Sequence, residues 1–331
     1  MASLARKPAH DRRDVSGRDG VAAAVGFGER LLARVAERES QIVLGLDPDP
    51  SALWPAATQQ GQAMAGGTPP QARAAAAVRA HCEALIDAAG PACVAVKPQL
   101  ARFELLGAPG REALGAVCEH ARQAGLLTIA DGKRGDIDVS ATAYARALYG
   151  GLDTPFGAVE GLHVDMATVN PLMGSDALAP FIAAARESVS AVLVLVRTSN
   201  PGAADIEDLE LADGAQVWER IAALVRTLGC DRVGESGLSD VGAVVGATVP
   251  EHLARARELM PHAVFLLPGV GAQGGRVEDL APAFAPGRAG GLISASRSIA
   301  NAHTANGGDS ADGARAEAER LRELAWTLSD S

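Results

Sequence analysis

The sequence predicts a (β/α)₈ barrel, the TIM-barrel class. Three observations predict it. Eight short apolar runs of strand length recur along the chain, helical patterns fill most of the gaps between them, and the runs close on charged, polar, glycine or proline residues. Apolar runs alternating with helices indicate a parallel sheet buried on both faces. Eight such units close a barrel that typically needs ~250 residues. The chain has 331 residues. The excess is assigned to a disordered tail at 1–20, an interval at Thr58–Pro70, and a C-terminal helical extension at 306–331, which leaves 21–305 as the catalytic barrel. A doubly wound sheet is the structural alternative, but no G-x-G-x-x-G follows the first run.

In order, an amphipathic helical stretch near Val21 to Glu39 precedes the first run, Ile42 to Leu46, which ends in Asp47-Pro48. The Gly/Gln/Pro-rich interval Thr58 to Pro70 reads as a surface loop or small insertion. The Ala-rich helix Ala72 to Ala89 leads to the second run, Cys93 to Val96, ending in Lys97-Pro98. A helix near Arg111 to Ala124 leads to the third, Leu126 to Ala130, which meets Asp131-Gly132-Lys133-Arg134-Gly135-Asp136-Ile137. The fourth run is His163 to Val169, closing on Asn170-Pro171, and the fifth is Ala191 to Val196, closing on Arg197-Thr198-Ser199-Asn200-Pro201-Gly202. The sixth is Val241 to Ala247, the seventh Ala263 to Leu267, and the eighth Gly291 to Ile293; a charged helix, Ala311 to Leu328, ends the chain.

Hydrophobic residues make up 48% and charged residues 21%, the balance of a globular protein with a sizeable core. Aromatics are only 3%, so that core is built from Ala, Val, Leu and Ile. A net charge of -10 argues against a nucleic-acid surface, which needs clustered Lys and Arg. It leaves room for a small anion held by a few local cations. The four cysteines are widely spaced without a C-x-x-C pair, so neither a disulfide framework nor a zinc site is expected. The seven histidines show no H-x-x-x-H spacing. No run reaches the ~18 to 20 apolar residues of a membrane span. Met1 to Gly20 lacks the apolar core of a signal peptide, and Arg12-Arg13 is followed by charge rather than an export segment. A cytoplasmic location is expected.

The barrel class changes the weight of the charged residues. By itself, a D-x-K-x-x-D cluster is a solvated loop with surface ion pairs. In this fold, chemistry sits at the C-terminal ends of the strands, and the residues there are Asp47, Lys97, Asp131 with Lys133, Ser199, Gln273 and Arg297. Residues two apart on a strand share a face, so Asp131 and Lys133 leave the third strand side by side if it continues through Lys133. Lys97 closes the preceding strand, usually a neighbour, so lysines and carboxylates interleave in one site. Such packing shifts pKa values and poises a lysine for proton transfer. The last two loops, Pro268 to Gly275 and Ser294 to Ser298, stand where this fold frequently binds phosphate. Glycines turn backbone N–H groups toward an anion, a helix N-terminus near Ser296 adds its dipole, and Arg297 is a planar double donor.

Asp131-Gly132-Lys133-Arg134-Gly135-Asp136-Ile137 resembles the signature of the orotidine 5'-phosphate decarboxylases, in the form D-x-K-R-G-D-I of their longer bacterial subgroup (type 2). The resemblance runs from about Ile42 to Ile299 and includes Gly45-Leu46-Asp47-Pro48, Val96-Lys97-Pro98-Gln99, Thr198-Ser199-Asn200-Pro201-Gly202, Val244 to Thr248 and Pro268 to Gln273. It implies cofactor-free, metal-free decarboxylation of orotidine 5'-phosphate to uridine 5'-phosphate in pyrimidine biosynthesis. It further implies a charged tetrad of Lys97, Asp131, Lys133 and Asp136, with Lys133 as proton donor and Asp136 reaching into the partner subunit of a homodimer. Asp47 and Lys97 would hold the ribose hydroxyls, Ser199 the pyrimidine edge, Gln273 and Arg297 the phosphate; Ile137 and Ser140 would touch ligand across the dimer. Relatives usually carry Thr where Ser140 stands and a small residue, often Gly, where Asp138 stands. Two other functions share parts of this pattern. One is a metal-dependent sugar-phosphate lyase or decarboxylase, which places a carboxylate ligand where Lys97 stands. The other is a non-catalytic nucleotide-binding barrel, which has little use for two lysines packed with two aspartates.

Overall fold

The computed structural model describes residues 26–271 and 274–329; the expected tail at 1–20 lies outside the described residues. Ten strands are present among them: β1 (Ile42–Leu46), β2 (Ala95–Pro98), β3 (Leu127–Arg134), β4 (Gly151–Thr154), β5 (Gly157–Glu160), β6 (Met166–Val169), β7 (Ala191–Arg197), β8 (Val241–Val245), β9 (Phe265–Pro268) and β10 (Gly291–Ala295). Eight of them close a barrel in the order β1-β10-β9-β8-β7-β6-β3-β2, and every pairing in it is parallel. The remaining two, β4 and β5, form an antiparallel hairpin.

The α-helices are α1 (Phe27–Arg38), α2 (Pro55–Gln62), α3 (Pro70–Ala89), α4 (Leu100–Glu104), α5 (Gly107–Gln123) and α6 (Asp138–Tyr149), then α7 (Ser175–Glu187), α8 (Val217–Gly229), α9 (Pro250–Leu259), α10 (Arg297–Ala300), α11 (Ala302–Asn306) and α12 (Ser310–Leu328). Of these, α2 to α9 lie in the crossovers between barrel strands, the crossover from β9 to β10 runs through 3-10 turns at Val277–Phe284 and Arg288–Gly290, α1 precedes the barrel, and α10 to α12 follow it. The interval expected to be a loop at Thr58–Pro70 is partly helical. Pro55 suits the first turn of α2, and the α2 glycine Gly61 lies so close to α3 that a Cβ there would meet Ala77 Cβ at 2.9 Å. The loop shrinks to 63–69. The β4–β5 hairpin carries no apolar alternation, because its residues are mostly exposed, and it went unread for that reason.

Strand alternation sorts the apolar residues into two layers. Ile42, Leu44, Val96, Ala130 and Ala167 face outward into the core shared with the helices, which also takes in Ala314, Ala318, Leu321 and Ala325 of α12. Val43, Ala95, Leu127, Ile129, Met166, Leu193, Val244, Leu266 and Leu292 fill the barrel interior. Phe27, Leu31 and Val35 of α1 join the interior cluster, packing against the strands' first residues and closing the N-terminal end. Arg30 of α1 pairs there with Asp165, whose other oxygen accepts from the Thr128 N–H and hydroxyl. The floor is closed; the C-terminal end of the barrel stays open for chemistry.

Candidate active site

Two residues above the apolar interior layer, on the same strand faces, polar and charged side chains take over: Lys97 above Ala95, Asp131 above Ile129, Thr168 above Met166. They line a cleft of about 970 Å³ at the C-terminal mouth, together with Asp47, Lys133, Ser199 and Arg297. Six of the ten residues expected from the sequence thus share one cavity.

Asp131 is its centre, 6% exposed, and four donors meet its carboxylate. Lys97 Nζ donates to Oδ2 at 2.7 Å and Gln99 Nε2 at 3.3 Å. Lys133 Nζ donates to Oδ1 at 2.5 Å and the Thr168 hydroxyl at 3.0 Å. Burial pushes the Asp131 carboxyl up, but the charges and hydrogen bonds of Lys97 and Lys133 outweigh it and hold the group down at about 2. Burial likewise works against the Lys97 ammonium, and Asp131 with Asp47 reverses this, leaving its pKa raised. Lys97 is locked in place by burial, whereas the Lys133 side chain is 45% exposed toward the open cleft. The first ammonium is fixed and the second faces the space a ligand fills.

Local backbone produces this. β2 and β3 are parallel neighbours, with Ala95 opposite Leu127 and Val96 opposite Thr128, so Lys97 and Asp131 emerge on adjacent strands. β3 then continues through Lys133 to Arg134, as the side-by-side exit requires, but not as a regular strand. Its register against β6 shifts between Ala130 and Arg134, and Lys133 takes φ 47°, the left-handed region that costs a side-chain-bearing residue.

Above β7, Arg197 holds Asp208 through two hydrogen bonds of 2.8 and 2.9 Å, and Thr198 is tied to Glu207 through its N–H and its hydroxyl. These anchors pin the loop carrying Ser199, and Gly246 leaves room for it: a Cβ there would meet Ser199 Cα at 2.9 Å. Across the mouth, Gly269 and Val270 line the cleft beside Ser294, Ser296 and Arg297. Gly269 and Gly271 take φ 106° and 75°, the turning backbone expected of an anion loop. Ser296 stands just before α10, which begins at Arg297. Gln273 lies outside the described residues.

Asp136, Ile137 and Ser140 do not join the cleft. Asp136 accepts a hydrogen bond from the Ile137 N–H at 2.8 Å, Ile137 is 54% exposed, and Ser140 is exposed on the first turn of α6. Asp138, the first residue of that helix, has φ 49°. Glycine adopts that conformation freely, and aspartate is among the side-chain-bearing residues that best tolerate it.

Gln99 and Thr168 were missed in the sequence. The signal for Gln99 is its place two residues after Lys97; for Thr168 it is a lone hydroxyl in an apolar run, two residues after the interior Met166.

The profile of the orotidine 5'-phosphate decarboxylase / HUMPS family matches residues 40–307. An orotidine 5'-phosphate decarboxylase of Deinococcus radiodurans is 42% identical over 274 residues, 82% of this chain and 88% of that protein. That of Rhodopirellula baltica is 44% identical over 69% of this chain and 74% of its own length. Among solved structures, the OMP decarboxylase of Leishmania donovani superposes with TM-score 0.68 at 31% identity, covering 92% of this chain and 100% of the other.

Proposed function

The chain belongs to the orotidine 5'-phosphate decarboxylase / HUMPS family, and from that premise we propose how its cleft carries out the reaction. It is a carboxy-lyase that converts orotidine 5'-phosphate to uridine 5'-phosphate and CO₂ in pyrimidine biosynthesis. The observation that carries the mechanism is the array Lys97–Asp131–Lys133 at the cleft floor, two ammonium groups on the two oxygens of one buried carboxylate.

When the bond from pyrimidine C6 to the carboxylate breaks, its electron pair stays on C6 and CO₂ leaves. The ring delocalises that charge poorly, so fixed charges must stabilise it. The half-exposed Lys133 ammonium does so, then gives its proton to C6, as general acids do. Asp131 holds Lys133 in place through Oδ1, and Lys97 anchors the carboxylate through Oδ2. Asp47 and Lys97 hold the ribose, Ser199 the pyrimidine edge, and Arg297 with Gln273 the phosphate. Phosphate binding far from C6 supplies energy to close loops and assemble the site. No cofactor and no metal enter this scheme. A metal-dependent lyase needs a carboxylate ligand at position 97, where an ammonium stands instead.

The active unit in this reading is a homodimer with shared sites. Asp136 lies outside the cleft of its own subunit, and the exposed apolar side chains of Ile137, Val139, Leu172 and Met173 flank its segment, suiting it to a subunit interface. Asp136, Ile137 and Ser140 then serve the neighbouring site. No helix of the described residues is long and apolar enough to cross a membrane, and the four cysteines are free, in keeping with a reducing cytoplasm. Following orotidine 5'-phosphate by absorbance tests the whole reading: the purified chain should consume it and release uridine 5'-phosphate, and an inert chain overturns it.

A further inference from the structure

Between the paired positions Ala130–Ala167 and Arg134–Val169, β3 contributes three residues, Asp131, Gly132 and Lys133, where β6 contributes only Thr168. A bulge of this kind leaves backbone groups without ladder partners, and a buried N–H left unpaired is costly. The Thr168 hydroxyl fills the gap. The Lys133 N–H donates to Thr168 Oγ1 at 2.9 Å. With its oxygen accepting there, the hydroxyl proton is free for Asp131 Oδ1, 3.0 Å away. Thr168 is 1% exposed, so its hydroxyl is turned to these two partners rather than to solvent.

We propose that Thr168 is a positioning residue for the reaction: one hydroxyl fixes both the carboxylate of Asp131 and the left-handed backbone that aims Lys133. The inference rests on the assignment of Asp131 and Lys133 to the chemistry. Lys133 has φ 47°, a conformation that persists only where surrounding contacts over-determine it. The bond to Thr168 is such a contact. Its second bond goes to Asp131 Oδ1, the same oxygen that accepts from Lys133 Nζ, and so restrains the carboxylate against rotation. Lys133 is therefore located twice by the same atom, once through its backbone and once through its counter-ion. Asp131 is faced by Lys97 and Gln99 on its other oxygen, so the hydroxyl completes a four-donor cage.

Thr168→Val keeps the branched shape and removes only the hydroxyl, and Thr168→Ser keeps the hydroxyl and removes only the methyl. In the dimeric enzyme, T168V should lower kcat by about ten- to a hundredfold, the range for a buried hydrogen bond to a charged group, with KM within about threefold of wild type. T168S should recover kcat to within about threefold of wild type. A residue that merely packs gives the opposite ranking, with valine better than serine. Independently of any substrate, hydrogen exchange at the Lys133 amide should be slow in wild type and T168S and at least roughly tenfold faster in T168V. If T168V does not fold, T168A is read in its place against T168S. Wild-type kcat in T168V, a T168S enzyme as poor as T168V, or unchanged Lys133 exchange each overturns the proposal. Failure of the wild-type enzyme to consume orotidine 5'-phosphate overturns the functional reading instead, and the exchange measurement still decides whether Thr168 holds the bulge.

Discussion

Lys97 Nζ lies 2.7 Å from Asp131 Oδ2, and the two side chains are 7% and 8% exposed. Taking both charges out of water is expensive, and a buried pair holds when further hydrogen bonds satisfy the groups it removes from water. Lys133, Gln99 and Thr168 supply them to Asp131. The relationship turns a carboxylate and two lysines into one rigid electrostatic unit, prepared before any ligand arrives.

Its first consequence is a pH dependence. Asp131 has its pKa held down at about 2 in the folded protein against an ordinary 3.8. In the interval between, the unfolded chain binds a proton at this position and the folded chain does not, so stability falls as the pH falls. The Asp131 contribution is complete above 3.8 and is lost as the pH drops through 2. Urea unfolding at stepped acidic pH should show wild type losing about 2 kcal/mol more than Asp131→Asn across that window. Parallel curves for the two proteins would contradict the assignment.

The second concerns division of labour. Lys133→Ala should lower kcat by at least about 10²- to 10⁴-fold, the usual worth of a positioned proton donor, while uridine 5'-phosphate still binds by calorimetry. Arg297→Ala should instead reduce kcat/KM by roughly ten- to a hundredfold, as expected for loss of charged hydrogen bonds to phosphate. Near-normal kcat in the Lys133 variant would remove it from the proton-donor role.

Metal independence is the third. Both oxygens of Asp131 are engaged by ammonium groups, an arrangement that repels a divalent cation. Turnover should be unchanged after exhaustive dialysis against chelator. Activity that vanishes and returns with Mg²⁺ would favour the sugar-phosphate lyase alternative.

The fourth tests the shared site. Lys133→Ala and Asp136→Ala proteins should each be nearly inactive. In a mixed dimer one site collects both lesions and the other none. Random exchange makes about half the dimers mixed, so roughly a quarter of all sites regain the full set. Background activity after exchange verified by mass spectrometry would show that Asp136 serves its own subunit.

Much was already present in the sequence, because strand period and burial are local properties. Eight apolar runs determined the eight barrel strands, since a parallel strand covered on both faces must be apolar throughout. The spacing of Asp131 and Lys133 predicts that they leave β3 together, since side chains two apart on a regular strand share a face; the two do meet, but through a bulged strand that this rule does not describe. What required the tertiary structure was everything set by contact between distant segments. The hairpin at 151–160 is mostly exposed and leaves no apolar period to read. Gln99 and Thr168 look like ordinary polar residues until β2, β3 and β6 are brought side by side. The left-handed Lys133 and the three-against-one register at Thr168 exist only in the pairing of β3 with β6. A sequence states which groups a strand carries, but their hydrogen-bond partners come from neighbouring strands, and those are chosen by barrel closure.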